Sequence, residues 1–156
     1  MKKLLLAAIA AVTLSGCSGT IPVGYETQSY VKVEGGRAAM GDFSYEPADA
    51  GDVKTNQLQN TAVGNIYIAE DVSQYVKRAT ALEMQSAGVT VEESAPLVVT
   101  GKVNELKLDD LGYSVDWTYS VTYTVTDELS DQQIFRETYT PDKRTTGKFG
   151  QPSDYT

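Results

Sequence analysis

A two-layer α+β sandwich is predicted for this chain of 156 residues, an antiparallel sheet of three to four main strands with one amphipathic helix packed on one face. Three patterns carry that prediction. From Tyr113 to Val125 apolar and polar residues alternate strictly. From Asp71 to Ala87 apolar residues recur at three and four positions. Further strand-like runs flank both, bounded by turn residues. An alternating strand buries one face only, and an amphipathic helix supplies the stripe that covers it.

The N-terminus comes first. Lys2 and Lys3 precede nine apolar residues, Leu4 to Val12. A bilayer-spanning helix needs about twenty, so residues 1–16 read as a secretion signal that is removed. Leu14-Ser15-Gly16-Cys17 supplies small residues beside the scissile bond and a thiol to carry lipid as a thioether. Cys17 is the only cysteine, which removes both an intramolecular disulfide and CxxC chemistry. Two or more acyl chains hold a protein firmly, at about 0.8 kcal/mol per buried methylene. By resemblance to the enterobacterial sorting rule, Ser18 after the cysteine favours the outer membrane, with the domain facing the periplasm. Residues 17–29 read as the lipidated cysteine and a leash, since Ser18 to Glu26 has Gly, Pro and little periodicity.

Residues 30–150 suit a single domain. Tyr30 to Val33 and Met40 to Tyr45 read as strands separated by Gly35-Gly36, and Pro47 ends the second. Ala48 to Gly64 is polar and turn-rich, a candidate mobile or functional excursion. In the helix, Val72, Tyr75, Val76, Ala79, Leu82 and Met84 draw the apolar stripe, with Tyr75 and Met84 expected in the core. Asp71 and Gln74 suit a capping box, and Gly88 suits a left-handed stop. Leu97 to Leu108 changes parity midway, which a bulge near Asn104 reconciles. Asp109 to Gly112 is a hairpin-type connection into the alternating strand, where Tyr113, Trp117 and Tyr119 share the apolar face and Asp116 the wet one. Gln132 to Thr140 returns as another strand.

Composition excludes more than it assigns. Losing Lys2 and Lys3 lowers 13 basic residues to 11 against 21 acidic ones, a mature formal charge of −10. Such a surface argues against nucleic acid as a partner. No histidine is present, which removes the commonest general base and zinc ligand, and no cofactor motif is found. Glu70-Asp71, Glu92-Glu93 and Asp109-Asp110 read as helix-start or turn acids, so a non-catalytic chain is expected. Calcium at Asp109, Asp110 and Asp116 lacks the EF-hand spacing.

Asn60 to Gly64, the run DDLGYSVDWTY from Asp109 to Tyr119, and KRTTGKF from Lys143 to Phe149 together resemble an uncharacterised group of small Gram-negative lipoproteins. Over roughly Met40 to Phe149 the chain is similar to small α/β outer-membrane lipoproteins of the YajG type. More remotely it resembles lipopolysaccharide-assembly and ABC-transport auxiliary lipoproteins. The resemblance implies a helix on an antiparallel sheet, a lipid anchor and a partner-binding or assembly-accessory role, and it brings no catalytic residues. Such chains continue after the KF segment into a second helix, for which Gln151 to Asp154 would be the start; here residues 151–156 form only a tail. Either the chain is truncated there, or part of the sheet stays uncovered and Tyr113, Trp117 and Tyr119 form an aromatic interface.

Arg136, Lys143, Arg144 and Lys148 gather basic charge within thirteen positions of an acidic chain. They are candidates to meet an anion or an acidic partner, against the plainer reading as charges guarding a strand end. The expected partners are the membrane, through the lipid anchor, and an envelope protein. The rival roles are an accessory in lipid or lipopolysaccharide transport, which needs an apolar groove beside the basic cluster, and a subunit of an oligomeric secretion component.

Overall fold

A long hairpin forms the spine of the fold. The computed structural model describes residues 18–27, 31–33, 35–60, 64–110, 114–142 and 144–147. In chain order the strands and helices are β1 (Gly19–Ile21), β2 (Arg37–Tyr45), α1 (Glu46–Asp49), β3 (Gln59–Asn60), β4 (Ile66–Ile68) and α2 (Val72–Ala87). They continue with β5 (Thr90–Val91), β6 (Leu97–Asp110), β7 (Ser114–Asp127), β8 (Gln132–Tyr139) and β9 (Arg144–Gly147). β6 and β7 are 14 residues each, longer than any neighbour, so shorter strands line up end to end along them. β2 and β3 both pair with β6, while β8 and β9 both pair with β7.

The main sheet has seven strands and is mixed, which corrects the expected antiparallel sheet of three to four. The β6–β7–β8 region is antiparallel as anticipated, whereas β2, β3 and β5 enter parallel pairs. Residue alternation reports which face a side chain takes but not strand direction. The direction follows from connectivity: α2 lies between β2 and β6, and such a crossover brings the chain back in the same sense. A second, two-stranded sheet joins β1 to β4, again in parallel. The leash is therefore part of the fold. Ile21 packs against the core, and β1 starts at Gly19, two residues after Cys17.

The parity change in β6 is a register shift between Val103 and Glu105, with Asn104 as the extra residue. It keeps Val99 and Val103 on the same side as Leu106 and Leu108, opposite Val125, Val121, Tyr119 and Trp117. The core gathers there: Phe43, Tyr45, Leu58, Ile68, Val72, Val76, Val103, Leu108, Val115 and Val121 are buried. Within Ala48 to Gly64, expected as a mobile or functional excursion, Leu58 joins the core. It is 1% exposed, and its amide bonds the Ile66 carbonyl at 2.9 Å.

α2 stops at Gly88, which takes φ 105° and donates to the Gln85 carbonyl while Val89 donates to that of Met84. At its start the capping box does not form. Asp71 occupies the cap position without a side-chain bond to the helix, because its carboxylate accepts the Thr55 hydroxyl hydrogen at 2.6 Å instead. Of the first proposed strand, Tyr30 to Val33, the described residues 31–33 form no regular strand, and the Val33 amide donates to the Ala87 carbonyl at 2.8 Å. Among the described residues no helix is long and apolar enough to cross a membrane.

Candidate functional site

α2 covers only part of the sheet. Val72, Val76 and Ala79 are buried, but the helix edge carrying Tyr75, Thr80, Glu83 and Met84 stands beside an open groove of about 1340 Å³. The opposite wall comes from β7 and β8, with Trp117, Tyr119, Tyr123, Phe135 and Tyr139. The leash from Val23 to Glu26 closes one side. Tyr75 and Met84 are thus partly buried wall residues of the groove and not fully buried core. The apolar stripe is wider than the sheet surface α2 reaches, and its outer edge is left over as wall.

Tyrosine hydroxyls converge inside. Tyr25 donates to Glu83 Oε1 at 2.5 Å, and its ring meets the edge of Tyr75 with centroids 6.5 Å apart. Tyr119 and Tyr123 place their hydroxyls 3.0 Å apart, and Tyr123 lies 3.4 Å from Thr80 Oγ1, which donates onward to the Val76 carbonyl at 2.8 Å. Burial pushes the Tyr119 phenol well above its ordinary value, with Tyr123 next and then Tyr25 and Tyr75 adding to it. Burial likewise raises Tyr25, reinforced by Glu83. Tyr75 is raised by burial against the opposing charge of Arg78. These three phenols therefore stay neutral through the physiological range.

Trp117 and Tyr119, two of the three expected interface aromatics, are both groove residues; Tyr113 lies outside the described residues. Of the basic group, Arg136 is the member whose side chain is described, and it lies off the groove. Arg136 is exposed on β8 opposite Thr124, in a shallow hollow of about 330 Å³ that also includes Asp42, Lys102 and Thr122. Alternation explains the separation: Phe135 takes the groove face, so Arg136 takes the other. Arg144 pairs by its backbone with Trp117, while Lys143, Lys148 and Cys17 lie outside the described residues. Asp116, expected on the wet face, is 6% exposed at the middle of the β6–β7–β9 triple. Farther along, that face carries a ladder in which Asn104 donates to Thr122 at 3.0 Å and Thr122 meets Thr138 at 2.8 Å. Among the described residues no three acids gather as a metal site.

Sequence reasoning missed Tyr25, Thr80, Glu83 and Tyr123 as groove residues. The available signal was the tyrosine count, ten in 156 residues, together with Thr80 and Glu83 spaced three apart at the border of the helical stripe.

Residues 1–18 match the model of the prokaryotic membrane lipoprotein lipid attachment site. The chain carries a lipoprotein attachment site. The lipoprotein is therefore membrane-anchored. No curated protein matches its sequence. Its fold is similar to that of protein XCC0632 from Xanthomonas campestris, of family DUF330, at TM-score 0.63 and 9% identity over 88% of this chain and 82% of that one. Lipoprotein GNA1162 from Neisseria meningitidis gives 0.45 at 9% identity, covering 74% and 86%. The PelC dodecamer from Paraburkholderia phytofirmans gives 0.45 at 15%, covering 81% and 84%. The first likeness supports the fold of the lipoprotein; the other two are too distant to bear on its assembly.

Proposed function

We propose that this lipoprotein is a non-catalytic accessory of the outer membrane, facing the periplasm, that holds lipid in its aromatic groove. The observation that carries this reading is the groove itself: an apolar, concave wall of about 1340 Å³ in a domain anchored by lipid. Concave apolar sites with a few convergent polar groups are the usual form of a binding site for small amphiphiles. The pairing of β1 from Gly19 keeps the domain close to its anchor, since two residues of chain reach at most about 7 Å. The resemblance to YajG-type and transport-auxiliary lipoproteins agrees with an accessory task, and Ser18 supports the outer-membrane destination. Arg136 faces away from the groove, so this residue gives no help with an anionic head group there.

A second reading, a docking partner in an envelope complex, has its own observation. All eight residues of β8 are exposed, among them Ile134, Phe135 and Tyr139, and β8 ends the row of paired strands. Such an edge can accept a strand from another protein.

In-cell photocrosslinking from positions 119, 123 and 134 separates the two. Lipid adducts at 119 and 123 are the expected result. Protein adducts at all three positions, with no lipid, would replace the first reading by the second.

A further inference from the structure

The outer edge of the main sheet is polarised along its length. β8 and β9 lie end to end against β7, and among the described residues neither has a strand on its other side. Acidic residues gather at the turn before β8 (Asp127, Glu128 and Asp131), and basic ones toward β9 (Lys143, Arg144 and Lys148, with Asp142 among them). Midway, Arg136 and Glu137 take opposite faces, beside Thr124 and Tyr123. Among the described residues, four of the six exposed large apolar side chains, Leu129, Ile134, Phe135 and Tyr139, lie on β8 or its turn. An unpaired edge of this kind is a template for another strand. Antiparallel pairing of two such edges about a twofold axis sets the acidic end of each beside the basic end of the other. Parallel pairing would set like beside like.

Resting on the second reading, β8 as a docking edge, and independent of the lipid reading of the groove, we infer that the occupant is a second copy of this chain. A twofold normal to the sheet keeps each face on its own side, so it passes through a residue and not between two. At Arg136 or Glu137 it would oppose like charges directly, which destabilises a pair. At Thr138 it opposes Thr138 to itself, Arg136 to the partner's Thr140, and Glu137 to the partner's Tyr139. The same axis brings Arg144 opposite the partner's Gln132, at the foot of the acidic turn. Arg144 stands level with Trp117 of β7 and Gln132 level with Asp127, each five residues from Thr122, the residue opposite Thr138. An axis at Tyr139 would set Arg144 opposite Phe135 instead. The mature charge of −10 opposes association at long range, but physiological salt screens it beyond about 8 Å, farther than opposed residues stand. Both grooves then open on the same side of one continuous sheet.

A cysteine on the axis tests this, with the parent chain, whose only cysteine is Cys17, as the blank. Arg136, Thr138 and Thr140 all lie on the face away from the groove. Thr138→Cys brings two thiols face to face, since directly opposed residues stand about 4.5–5.5 Å apart. Arg136→Cys leaves its two copies about 14 Å apart, past the reach of a disulfide at about 7 Å, and adding Thr140→Cys restores an opposed pair. The full-length lipidated variants are oxidised in isolated membranes, and linked peptides are identified by mass spectrometry. The expected result is a 138–138 dimer, no dimer from Arg136→Cys alone, and a 136–140 dimer from the double variant. Arg144→Glu in the Thr138→Cys chain lowers the yield about threefold, and adding Glu128→Lys restores it. Equal crosslinking from 136 and 138 overturns the self-paired edge, and so does monomer throughout. In either case protein photoadducts at 134 would keep β8 as a docking edge for a different protein, and their absence would remove that reading as well.

Discussion

Tyr25 reaches across 58 positions of sequence to donate its hydroxyl hydrogen to the Glu83 carboxylate at 2.5 Å. That bond joins the membrane-proximal leash to the last turns of α2, the helix that forms one wall of the groove. With β1 paired to β4 upstream, the leash is held at two points and joins β4 to the groove and the helix.

Tyr25→Phe tests this connection. It keeps the ring against Tyr75 and deletes only the bond to Glu83. Hydrogen bonds to charged groups contribute about 1.5–3 kcal/mol when well buried. Tyr25 is half-buried, so a loss of about 1 kcal/mol is expected. Hydrogen exchange should accelerate over residues 22–27 and stay unchanged in β6 and β7. Uniform acceleration through the sheet would mean that the bond supports the whole fold and not the leash.

Gly101→Ala probes the parallel pair that the sequence did not reveal. Phe43 opposes Gly101 in the β2–β6 register, and its buried ring lies where a Cβ would have to go. Overfilling of a packed core costs about 1–3 kcal/mol. Gly24→Ala, where a Cβ meets open space, should change stability by less than about 0.5 kcal/mol. Denaturant midpoints of the two variants give the comparison, and equal midpoints would refute the close ring–glycine stacking.

Much of this arrangement was legible, and the limits have physical reasons. The helix, its stop at Gly88 and the bulge at Asn104 all follow from periodicity, which records the face each side chain takes. Strand direction leaves no such trace, so the parallel entry of β2, β3 and β5 was missed. Asp71 was a sound cap by its neighbours, but Thr55, sixteen residues away, claimed its carboxylate. The groove was half visible: alternation puts Trp117 and Tyr119 on the apolar face of β7, and both line the groove. Tyr25 and Glu83 were out of reach because their roles depend on how the leash folds back onto α2.

Cys17→Ala should release the domain from the membrane fraction without unfolding it. The attachment thiol is lost, while the core residues from Ile21 onward are untouched. Fractionation together with the far-ultraviolet spectrum of the released protein checks both halves. Retention of the variant in the membrane fraction would show that lipid is not the sole anchor.

Tyr45 offers a prediction with a sign that depends on pH. The residue is 3% exposed, and its hydroxyl, close to the Gln59 backbone, makes no hydrogen bond of good geometry. Burial pushes the phenol up to about 12, the Gln59 backbone acting in the opposite sense and Glu105 adding to the rise. A value raised on folding means the fold holds the proton more tightly than the unfolded chain does. The stabilisation is complete below the unfolded value near 10 and drains away as pH climbs from there toward 12. Tyr45→Phe removes both the unsatisfied hydroxyl and the proton. At pH 7 the variant should be more stable by about 1 kcal/mol, because an unpaired buried hydroxyl costs about 1–3 kcal/mol. Between pH 10 and 12 its stability should fall less steeply than that of the parent, though still fall, since Tyr25 and Tyr119 remain raised. Urea unfolding of both proteins at neutral and alkaline pH decides it. A variant less stable than the parent at pH 7 would mean that the hydroxyl has a partner worth keeping, and that the alkaline loss arises in the groove alone.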